Sequence, residues 1–323
     1  MNKNTLIMSD SKIPIIDLTK LDKYSNSWVP LCNNVRHALE EYGYFIALYD
    51  DDKKNKISKE IFDVMEELFD LPIETKRKNT SDFYFYQWNG LLKQAPLHES
   101  FGIPHPTDVE ALQSFTTLMW PQGNQRFCET VTSYVKVAAE VEQLVDKMVF
   151  ESYGVAERHY ESHVAATTYL LRPIKYRPPL QGAEDGSGNI GCNAHTDKSF
   201  STLLFQNQIN ALQVETKSGE WIDVDVPPSA LVFMAGDAYE AWSNGRIYAA
   251  RHQVLMKEDK QRYTLALFTF NKGITDIPEE LVDETHPIQY KPFDNFGLAW
   301  YYLSGASSMA HGTAKPYCGF SAT

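Results

Sequence analysis

Two residues near the middle of the chain could bind one metal ion together. His195 and Asp197 stand two positions apart in the stretch NAHTDKSF, just before an apolar run at 202–205. On a β-strand, residues i and i+2 point to the same face, so the imidazole and the carboxylate would lie close together. A core histidine that is hydrogen-bonded by a nearby carboxylate would show the same spacing. The pair alone therefore leaves both interpretations open.

A third candidate ligand is His252, which lies in another β-like segment, AARHQVLM. Two imidazoles and one carboxylate are the facial set that binds non-haem iron(II) and leaves further positions open for small ligands. Zinc accepts the same donors, so the ligand types alone do not decide the metal. The three residues predict a metal site that is open on one side.

Arg262 and Thr264 extend this hypothesis. The segments HQVLM, KEDK and QRYTLALFTF predict a β-hairpin that turns near residues 258 and 259. In that register residue 265 or 266 faces His252, and Arg262 lies roughly 10–13 Å along the strand at about 3.3 Å per residue. That distance fits a short dicarboxylate that chelates the metal at one end and meets the guanidinium at the other. Thr264 shares the strand face and offers a hydroxyl to the same carboxylate. The alternative is that Arg262 is a surface residue beside a charged turn.

The elements that must position these residues divide the chain near residue 164. Before that point, apolar periodicity predicts helices that end at Gly43 and Gly154. From there to about residue 271, short runs rich in Val, Leu, Phe, Tyr and Thr alternate with turn signals such as KSGE and Asn244–Gly245. This texture is typical of a β-sandwich or barrel. The predicted fold is mainly β, with an antiparallel core and flanking helices. The strands are expected at 13–18 and 44–48, and the helices at 28–42, 54–69, 124–153 and 292–303.

Composition excludes several classes of partner. The formal net charge is −12, and no basic run is present, which argues against nucleic acid and anionic membranes as partners. No apolar stretch approaches the roughly 20 residues that span a bilayer. The first twelve residues are polar and do not resemble a signal peptide. The four cysteines are isolated in the sequence, as is typical of proteins in a reducing compartment. We expect a cytoplasmic protein, a monomer, that acts on a small molecule.

The same residues carry a family resemblance. The order HxD, then histidine, then R-x-S/T, resembles that of the plant 2-oxoglutarate- and Fe(II)-dependent dioxygenases, and the likeness covers nearly the whole chain. IPIIDL, EEYGYFIA and LFDLPIETK are similar to the N-terminal region of that family, and GDAYEAWSNGR is similar to the segment before its distal histidine. HESFGIP and LMWPQGNQRFCET resemble the AOP-like branch, which acts in specialised metabolism.

The resemblance implies a role for each candidate residue. His195, Asp197 and His252 would hold the iron, and Arg262 and Thr264 would bind the distal carboxylate of 2-oxoglutarate. Tyr176, in IKYRPP, is similar to the tyrosine that hydrogen-bonds this co-substrate. Three departures stand out. Threonine replaces the usual serine at 264, glutamine replaces the usual arginine at 253, and the segment around Tyr176 lacks the usual asparagine and second tyrosine.

The resemblance also implies a three-part architecture. Residues 1–160 would form a helical N-terminal region, residues 161–275 the Fe(II)/2-oxoglutarate β core, and residues 276–323 a C-terminal helical tail. The core would be a double-stranded β-helix, the jelly-roll arrangement also called cupin-like.

The implied reaction consumes 2-oxoglutarate and O₂, releases succinate and CO₂, and hydroxylates a small plant specialised metabolite, with ascorbate as reductant. One alternative is a hormone-directed oxidase acting on auxin or gibberellin-type acids, which would need basic residues in its pocket. Another is an ascorbate-dependent relative that does not use 2-oxoglutarate. A non-enzymatic metal-binding β-barrel and a metal-dependent isomerase on a similar barrel are further alternatives.

Aromatic residues are the candidates for contact with the substrate. Phe268 and Phe270 share the strand parity of Arg262 and would lie deeper along the same face. The stretch FYFYQWNG, which contains Tyr86 and Trp88, could cover the pocket. Ordinary packing between the helices and the β core is the alternative for that stretch.

Overall fold

The computed structural model describes residues 7–8, 13–19, 27–49, 51–90, 95–180, 187–228, 230–306 and 312–320. The helices are α1 (Trp28–Glu41), α2 (Asp51–Phe69), α3 (Ile73–Lys76), α4 (Val109–Met119), α5 (Gln125–Ser152), α6 (Ala156–Ala166), α7 (Asp237–Trp242), α8 (Asn295–Leu303) and α9 (Ala314–Cys318). The strands are β1 (Ile7–Met8), β2 (Pro14–Asp17), β3 (Tyr44–Leu48), β4 (His98–Ser100), β5 (Ile103–Pro104), β6 (Thr167–Tyr176), β7 (Ile190–His195), β8 (Ser201–Gln206), β9 (Leu212–Glu215), β10 (Trp221–Asp223), β11 (Leu231–Ala235), β12 (His252–Leu255), β13 (Arg262–Asn271), β14 (Ile274–Thr275) and β15 (Phe293–Asp294). The fold is therefore rich in sheet, with helices around it.

Two sheets form the centre of the protein. The larger has nine strands in the order β1-β2-β3-β11-β8-β13-β6-β4, with β5 also paired to β6. The smaller has four strands in the order β10-β9-β12-β7. Apart from the parallel pair of β2 and β3, the strand pairs of both sheets are antiparallel. One side of the larger sheet packs against the helices, because Leu203, Phe205 and Leu265 share a continuous apolar core with α1, α2 and α5.

The predicted helices and strands of the N-terminal half are confirmed. The helix expected at 28–42 is α1, and its chain reverses at Gly43, which has a φ of +78°. A Cβ atom at that position would lie 2.3 Å from the carbonyl oxygen of Tyr248, so glycine is required by close approach as well as by φ. The helix expected at 124–153 is α5, and it is followed by Gly154 with a φ of +73°.

The predicted hairpin between β12 and β13 is wrong. The two strands belong to different sheets: His252 pairs with His195 and Val214 in the smaller sheet, whereas Arg262 pairs with Tyr176 in the larger one. The segment 257–260 thus carries the chain from one sheet to the other. Alternating apolar residues and a charged turn are compatible with either connection, so the sequence pattern could not separate them. The separation between His252 and Arg262 that was predicted from the hairpin register therefore does not apply.

The expected boundaries cross regular elements. The boundary between 160 and 161 lies within α6, and β14, which precedes the boundary at 275, pairs with β15 in the tail. β3, from the N-terminal part, pairs with β11 in the larger sheet. In the part of the chain that the structure describes, no helix combines the length and the apolar character needed to cross a lipid bilayer.

Candidate functional site

The smaller sheet brings the two predicted imidazole ligands together. The Cα atoms of His195 and His252 are register partners on β7 and β12, and their ring centroids lie 4.3 Å apart. Asp197 follows β7 after one intervening residue, and its Oδ1 lies 3.6 Å from His195 Nε2 and 3.7 Å from His252 Nε2. One donor atom from each residue lies within 4.8 Å of the others, which is compatible with a single metal ion between them. Sequence reasoning correctly expected these three residues to meet.

Backbone carbonyls fix which imidazole nitrogen faces the cluster. His195 Nδ1 lies 2.8 Å from the carbonyl oxygen of Asn193, and His252 Nδ1 lies 3.1 Å from that of Ala250. A carbonyl oxygen only accepts, so each Nδ1 carries the proton and donates it. Each Nε2 therefore faces Asp197, and each offers its lone pair to a metal ion once Nε2 is deprotonated. This is the outer hydrogen bonding that orients histidines bound to metals.

Asp197 is held in its ionised form. Burial acts to raise its pKa, but the imidazoles of His252 and His195 hold that pKa well below its ordinary value. Thr202 Oγ1 donates a 2.6 Å hydrogen bond to Asp197 Oδ2, which leaves Oδ1 for the side of the histidines. When a metal ion takes the place of any proton on Nε2, the cluster offers two imidazole nitrogens and one carboxylate oxygen as donors. This set fits iron(II) and zinc alike.

Arg262 lies at the start of β13 and is completely buried. Its Nη2 donates a 2.8 Å hydrogen bond to Gln206 Oε1, whereas Nε and Nη1 have no acceptor. The Oγ1 of Thr264, also completely buried, has no partner either. Buried polar atoms are nearly always hydrogen-bonded, and Arg262 with Thr264 supplies three open positions on one strand face. They are the groups that an anionic carboxylate would satisfy.

Tyr176 stands beside this arginine. It is the register partner of Arg262 on β6, and its ring centroid lies 5.2 Å from Arg262 Cζ. Burial is the main cause that raises the pKa of the Tyr176 phenol, so the hydroxyl stays protonated and able to donate. The Tyr176 side chain also forms part of the cavity wall next to His195 and Cys192.

A cavity of about 280 Å³ opens between the two sheets, in contact with all three predicted metal ligands. Its walls are mostly apolar. Phe268 and Phe270 lie on this wall, as their strand parity predicted. The aromatic stretch FYFYQWNG also contributes, but through Tyr84 and Phe85.

Tyr86 and Trp88 do not line the described cavity, in contrast to the prediction that placed them over it. The Trp88 indole donates a 3.1 Å hydrogen bond to Glu99 and lies 5.9 Å from Lys76 Nζ. The Tyr86 ring packs edge-on against Phe83. Residues 84–86 form a short 3-10 helix rather than a strand, so strand parity does not select the inward residues of this stretch.

Sequence reasoning missed two cations in the cavity wall, Arg172 and Lys198. Lys198 forms a buried ion pair with Asp237 and donates a 2.7 Å hydrogen bond to Thr196. Arg172 lies four positions before Tyr176 on β6. The period of two along a strand therefore signals that the two side chains share a face. No comparable signal points to Lys198, which lies in the irregular segment after β7.

Two family models match this chain. Residues 162–271 match the 2OG-Fe(II) oxygenase superfamily, and residues 13–122 match the N-terminal region described as non-haem dioxygenase in morphine synthesis. The first match contains all three clustered ligands together with Arg262 and Thr264.

Curated relatives confirm the AOP-like resemblance. The chain is 36% identical over 300 residues to the protein named probable 2-oxoglutarate-dependent dioxygenase AOP1 of Arabidopsis thaliana, covering 91% of this chain and 98% of the relative. It is 30% identical to the 2-oxoglutarate-dependent dioxygenase AOP3 of the same plant, covering 96% of this chain and 98% of that one.

Solved structures share the fold. The Arabidopsis dioxygenase for auxin oxidation 1, in complex with 2-oxoglutarate, superimposes with a TM-score of 0.74 at 25% identity, covering 85% of this chain and 99% of that one. The rice dioxygenase for auxin oxidation gives a TM-score of 0.78 at 24% identity, with 95% and 99% covered. The site geometry, the family matches and the AOP relatives lead to one conclusion: the chain belongs to the 2OG-Fe(II) oxygenase superfamily and is a 2-oxoglutarate-dependent dioxygenase, which uses Fe(II), 2-oxoglutarate and O₂.

Proposed function

We propose that His195, Asp197 and His252 bind the catalytic Fe(II) through Nε2, a carboxylate oxygen and Nε2. The proposal is supported by the convergence of these donors and by the carbonyls that fix both imidazoles. Iron is preferred to zinc because the reaction of this family requires a metal that changes oxidation state. The three protein ligands leave positions for the co-substrate and for oxygen.

We further propose that Arg262 and Thr264 bind the distal carboxylate of 2-oxoglutarate, and that Tyr176 donates a hydrogen bond to the same co-substrate. The observation that carries this assignment is the set of unsatisfied atoms, Arg262 Nε and Nη1 and Thr264 Oγ1, in completely buried side chains. A buried guanidinium without an acceptor is costly, and a bound carboxylate would remove that cost.

When bound, Fe(II) and 2-oxoglutarate supply the oxidising chemistry: one oxygen atom goes to succinate, CO₂ leaves, and the other oxygen atom goes to the second substrate. The residues of the chain bind and orient these reactants. Asp197 stays ionised, Arg262 fixes the position of the dicarboxylate, and the apolar wall that includes Phe268 and Phe270 excludes water from the reacting atoms.

We propose that the second substrate is a small plant specialised metabolite and that the outcome is hydroxylation. The cavity size and the similarity to AOP1 and AOP3 support this proposal. Phe268 and Phe270 are the proposed contacts of the substrate body, and Tyr84 and Phe85 replace Tyr86 and Trp88 in that role.

A hormone-directed oxidase remains the second candidate. The similarity to two structures named for auxin oxidation supports it, as does the presence of basic side chains in the cavity wall. An ascorbate-dependent relative that does not use 2-oxoglutarate is disfavoured, because it would leave the open donors of Arg262 without a ligand. Ascorbate is proposed only as a reductant that keeps the iron in its ferrous state.

Three wider expectations belong to this proposal. The two sheets are proposed to be the halves of a double-stranded β-helix, with residues 161–275 as the catalytic core between the N-terminal region and the tail. The protein is proposed to act as a monomer, which analytical ultracentrifugation would test. A cytoplasmic location stays a prediction, and cell fractionation would test it.

The experiment is anaerobic reconstitution with Fe(II) and 2-oxoglutarate, then exposure to oxygen in the presence of pooled plant metabolites. We expect succinate formation that requires both Fe(II) and O₂ and that increases when the substrate is present, together with a product heavier by one oxygen atom. Succinate formation that is independent of added Fe(II) or of oxygen would contradict the proposal. Products that lack a new oxygen atom would contradict only the proposed outcome, hydroxylation, and not the dioxygenase activity.

A further inference from the structure

A guanidinium lies in the wall of the cavity, and it is not that of Arg262, which does not line it. Arg172 is on β6, with Ala266 as its register partner on β13, and only 9% of it is exposed. It lies four residues from Tyr176, about 13 Å along the strand at about 3.3 Å per residue. Arg172 and Arg262 are therefore well separated along the face of one sheet.

The hydrogen bonds of Arg172 leave it without an anionic partner. Its Nη2 donates a 2.6 Å hydrogen bond to Ser100 Oγ, and its Nε has no acceptor. Ser100 Oγ in turn lies 3.0 Å from His98 Nε2. Burial, and then the positive charge of Arg172, lowers the pKa of His98 to about 3, so this imidazole is neutral. Among the described residues, none of the ion pairs includes Arg172.

The other charges around the cavity are balanced. Lys198 is neutralised by Asp237. On the proposed function, Fe(II) with Asp197 carries one net positive charge and Arg262 carries another, and the dianion 2-oxoglutarate neutralises both. Arg172 remains protonated even where burial lowers its pKa. No described carboxylate forms an ion pair with Arg172, and both negative charges of the co-substrate are matched elsewhere, so the loaded site keeps one guanidinium without an ion-pair partner.

The surroundings of Arg172 indicate what could compensate it. Its Cζ lies 5.6 Å from the centroid of the Phe85 ring, and Leu170 and Ile174, its neighbours on the same strand face, line the same cavity. A ligand here would meet a charged hydrogen-bond donor with apolar walls on either side of it. This combination suits a small molecule with an apolar body and one anionic oxygen group.

We propose that Arg172 binds an anionic group of the substrate, a carboxylate or a sulfate, so that the enzyme selects small amphipathic acids over their neutral counterparts. The inference rests on the proposed function and narrows its substrate class. Arg172 is a substrate-binding residue in this account, and its distance along the strand from Arg262 separates it from the anchor of the distal carboxylate of 2-oxoglutarate.

The test compares matched acids and amides. Binding is measured by anaerobic calorimetry on protein loaded with Fe(II) and 2-oxoglutarate. The probes are phenylacetate with phenylacetamide, indole-3-acetate with indole-3-acetamide, and benzenesulfonate with benzenesulfonamide. The first two pairs test a carboxylate, and the third tests a sulfate-like group. The variants are Arg172→Met, Arg172→Lys and the control Arg177→Met, which removes a nearby guanidinium that lies outside the cavity wall and is paired with Glu99.

We expect at least one acid to bind about tenfold to a hundredfold more tightly than its amide, the range of a charge-assisted hydrogen bond. This preference should vanish in Arg172→Met, persist in part in Arg172→Lys and remain intact in Arg177→Met. The affinity for 2-oxoglutarate should be unchanged in all three. Without bound substrate, Arg172→Met should unfold at a temperature no lower than wild type, since it removes an unpaired buried charge.

Several results would overturn the inference. These are the absence of acid preference throughout the panel, a preference that survives in Arg172→Met, and a tenfold loss of 2-oxoglutarate affinity in that variant. The last result would assign Arg172 to the co-substrate. If wild-type protein takes up neither Fe(II) nor 2-oxoglutarate, the proposed function fails instead, and the same acid–amide comparison on unloaded protein still decides the role of Arg172.

Discussion

At the scale of single residues, the site is defined by where protons and lone pairs are fixed. The carbonyl oxygens of Asn193 and Ala250 accept hydrogen bonds from Nδ1 of the two histidines. Thr202 donates a hydrogen bond to one carboxylate oxygen of Asp197. The remaining ligand atoms of the three residues lie around a common centre before any metal ion is bound. The three side chains therefore lose little conformational entropy when they bind the ion.

Replacing Arg262 by methionine should raise the 2-oxoglutarate concentration needed for half-saturation. Loss of one partner of a buried charge pair costs about 3–5 kcal/mol, which is on the order of a hundredfold or more. Thr264→Val removes one hydroxyl and should cost about 1 kcal/mol, or roughly fivefold. Steady-state kinetics with varied 2-oxoglutarate measure both. Unaltered half-saturation in Arg262→Met would refute the assignment of the carboxylate anchor.

Thr202→Val should weaken iron binding without changing a ligand. The hydroxyl that orients Asp197 is lost, and such outer-shell changes reduce metal affinity by about 10–100-fold. Competition with a chelator of known affinity gives the iron dissociation constant. Thr216→Val, at an exposed turn where the threonine bonds Ser218, is the matched control. Equal iron affinities in both variants would contradict the role of Thr202 in orienting Asp197.

At the scale of elements, a buried polar network joins the helices to the larger sheet. Glu142 on α5 accepts hydrogen bonds from Tyr169 (3.0 Å) and from Ser201 on β8 (3.2 Å). Asp146, one turn later, lies 2.8 Å from His163 Nε2. Burial, and next the negative charge of Asp146, raises the pKa of Glu142 well above its ordinary value, which favours the protonated carboxyl in the folded protein.

This network predicts a pH-dependent effect of Glu142→Gln. A carboxyl with a raised folded pKa binds its proton in the native state but not in the unfolded state, so wild-type stability falls as pH rises above about 4.5. Glutamine cannot titrate, and the variant should gain stability relative to wild type as the pH rises from about 4.5 towards the folded pKa of Glu142, by at most about 1.4 kcal/mol per pH unit. Denaturant unfolding at several pH values measures the difference. A difference that does not change with pH would contradict the raised pKa.

The elements also show where sequence reasoning succeeded and where it failed. The parity of Phe268 with Phe270 depends only on strand geometry, and it was predictable. His195 and Asp197 also meet as expected, although Asp197 lies beyond the end of β7. The pairing of β12 was not predictable, because a hairpin and a crossing between sheets have the same local pattern. Arg262 lies beside Tyr176, whose side chain lines the cavity between the two sheets, although Arg262 does not line it and is not reached through the expected register.

Arg172 illustrates a different limit. Its position on the face of Tyr176 could be read from strand parity, but its missing counter-ion could not. Whether a buried cation is paired depends on residues such as Ser100 and His98, which lie on a strand that is far away in the sequence. Charge compensation is a tertiary property, and it becomes visible only with the structure.

At the scale of the whole molecule, the N-terminal region is part of the scaffold that supports the site. β3 pairs with β11, and Tyr134 on α5 donates a 2.8 Å hydrogen bond to the backbone of Leu265 on β13. Helix α5 buries an extensive apolar face against the larger sheet. The β core without these elements would expose this side of its sheet to water.

A fragment of residues 155–323 should therefore fail to fold alone. It retains α6 but loses β3 and α5, and it should show no cooperative thermal transition by circular dichroism. The control is the full chain cleaved at an engineered protease site before residue 155, with both pieces present, which should unfold cooperatively. A cooperative transition in the isolated fragment would show that the β core is an autonomous domain.

The central claim is that His195, Asp197 and His252 hold iron beside a 2-oxoglutarate site. The most direct measurement is an anaerobic titration of 2-oxoglutarate into Fe(II)-loaded protein, followed by the visible absorption band that forms when the keto acid chelates iron. We expect a saturable band in wild type, with one iron per chain, and neither band nor retained iron in His195→Ala. A wild-type band in His195→Ala, or none in the wild-type protein, would contradict the central claim.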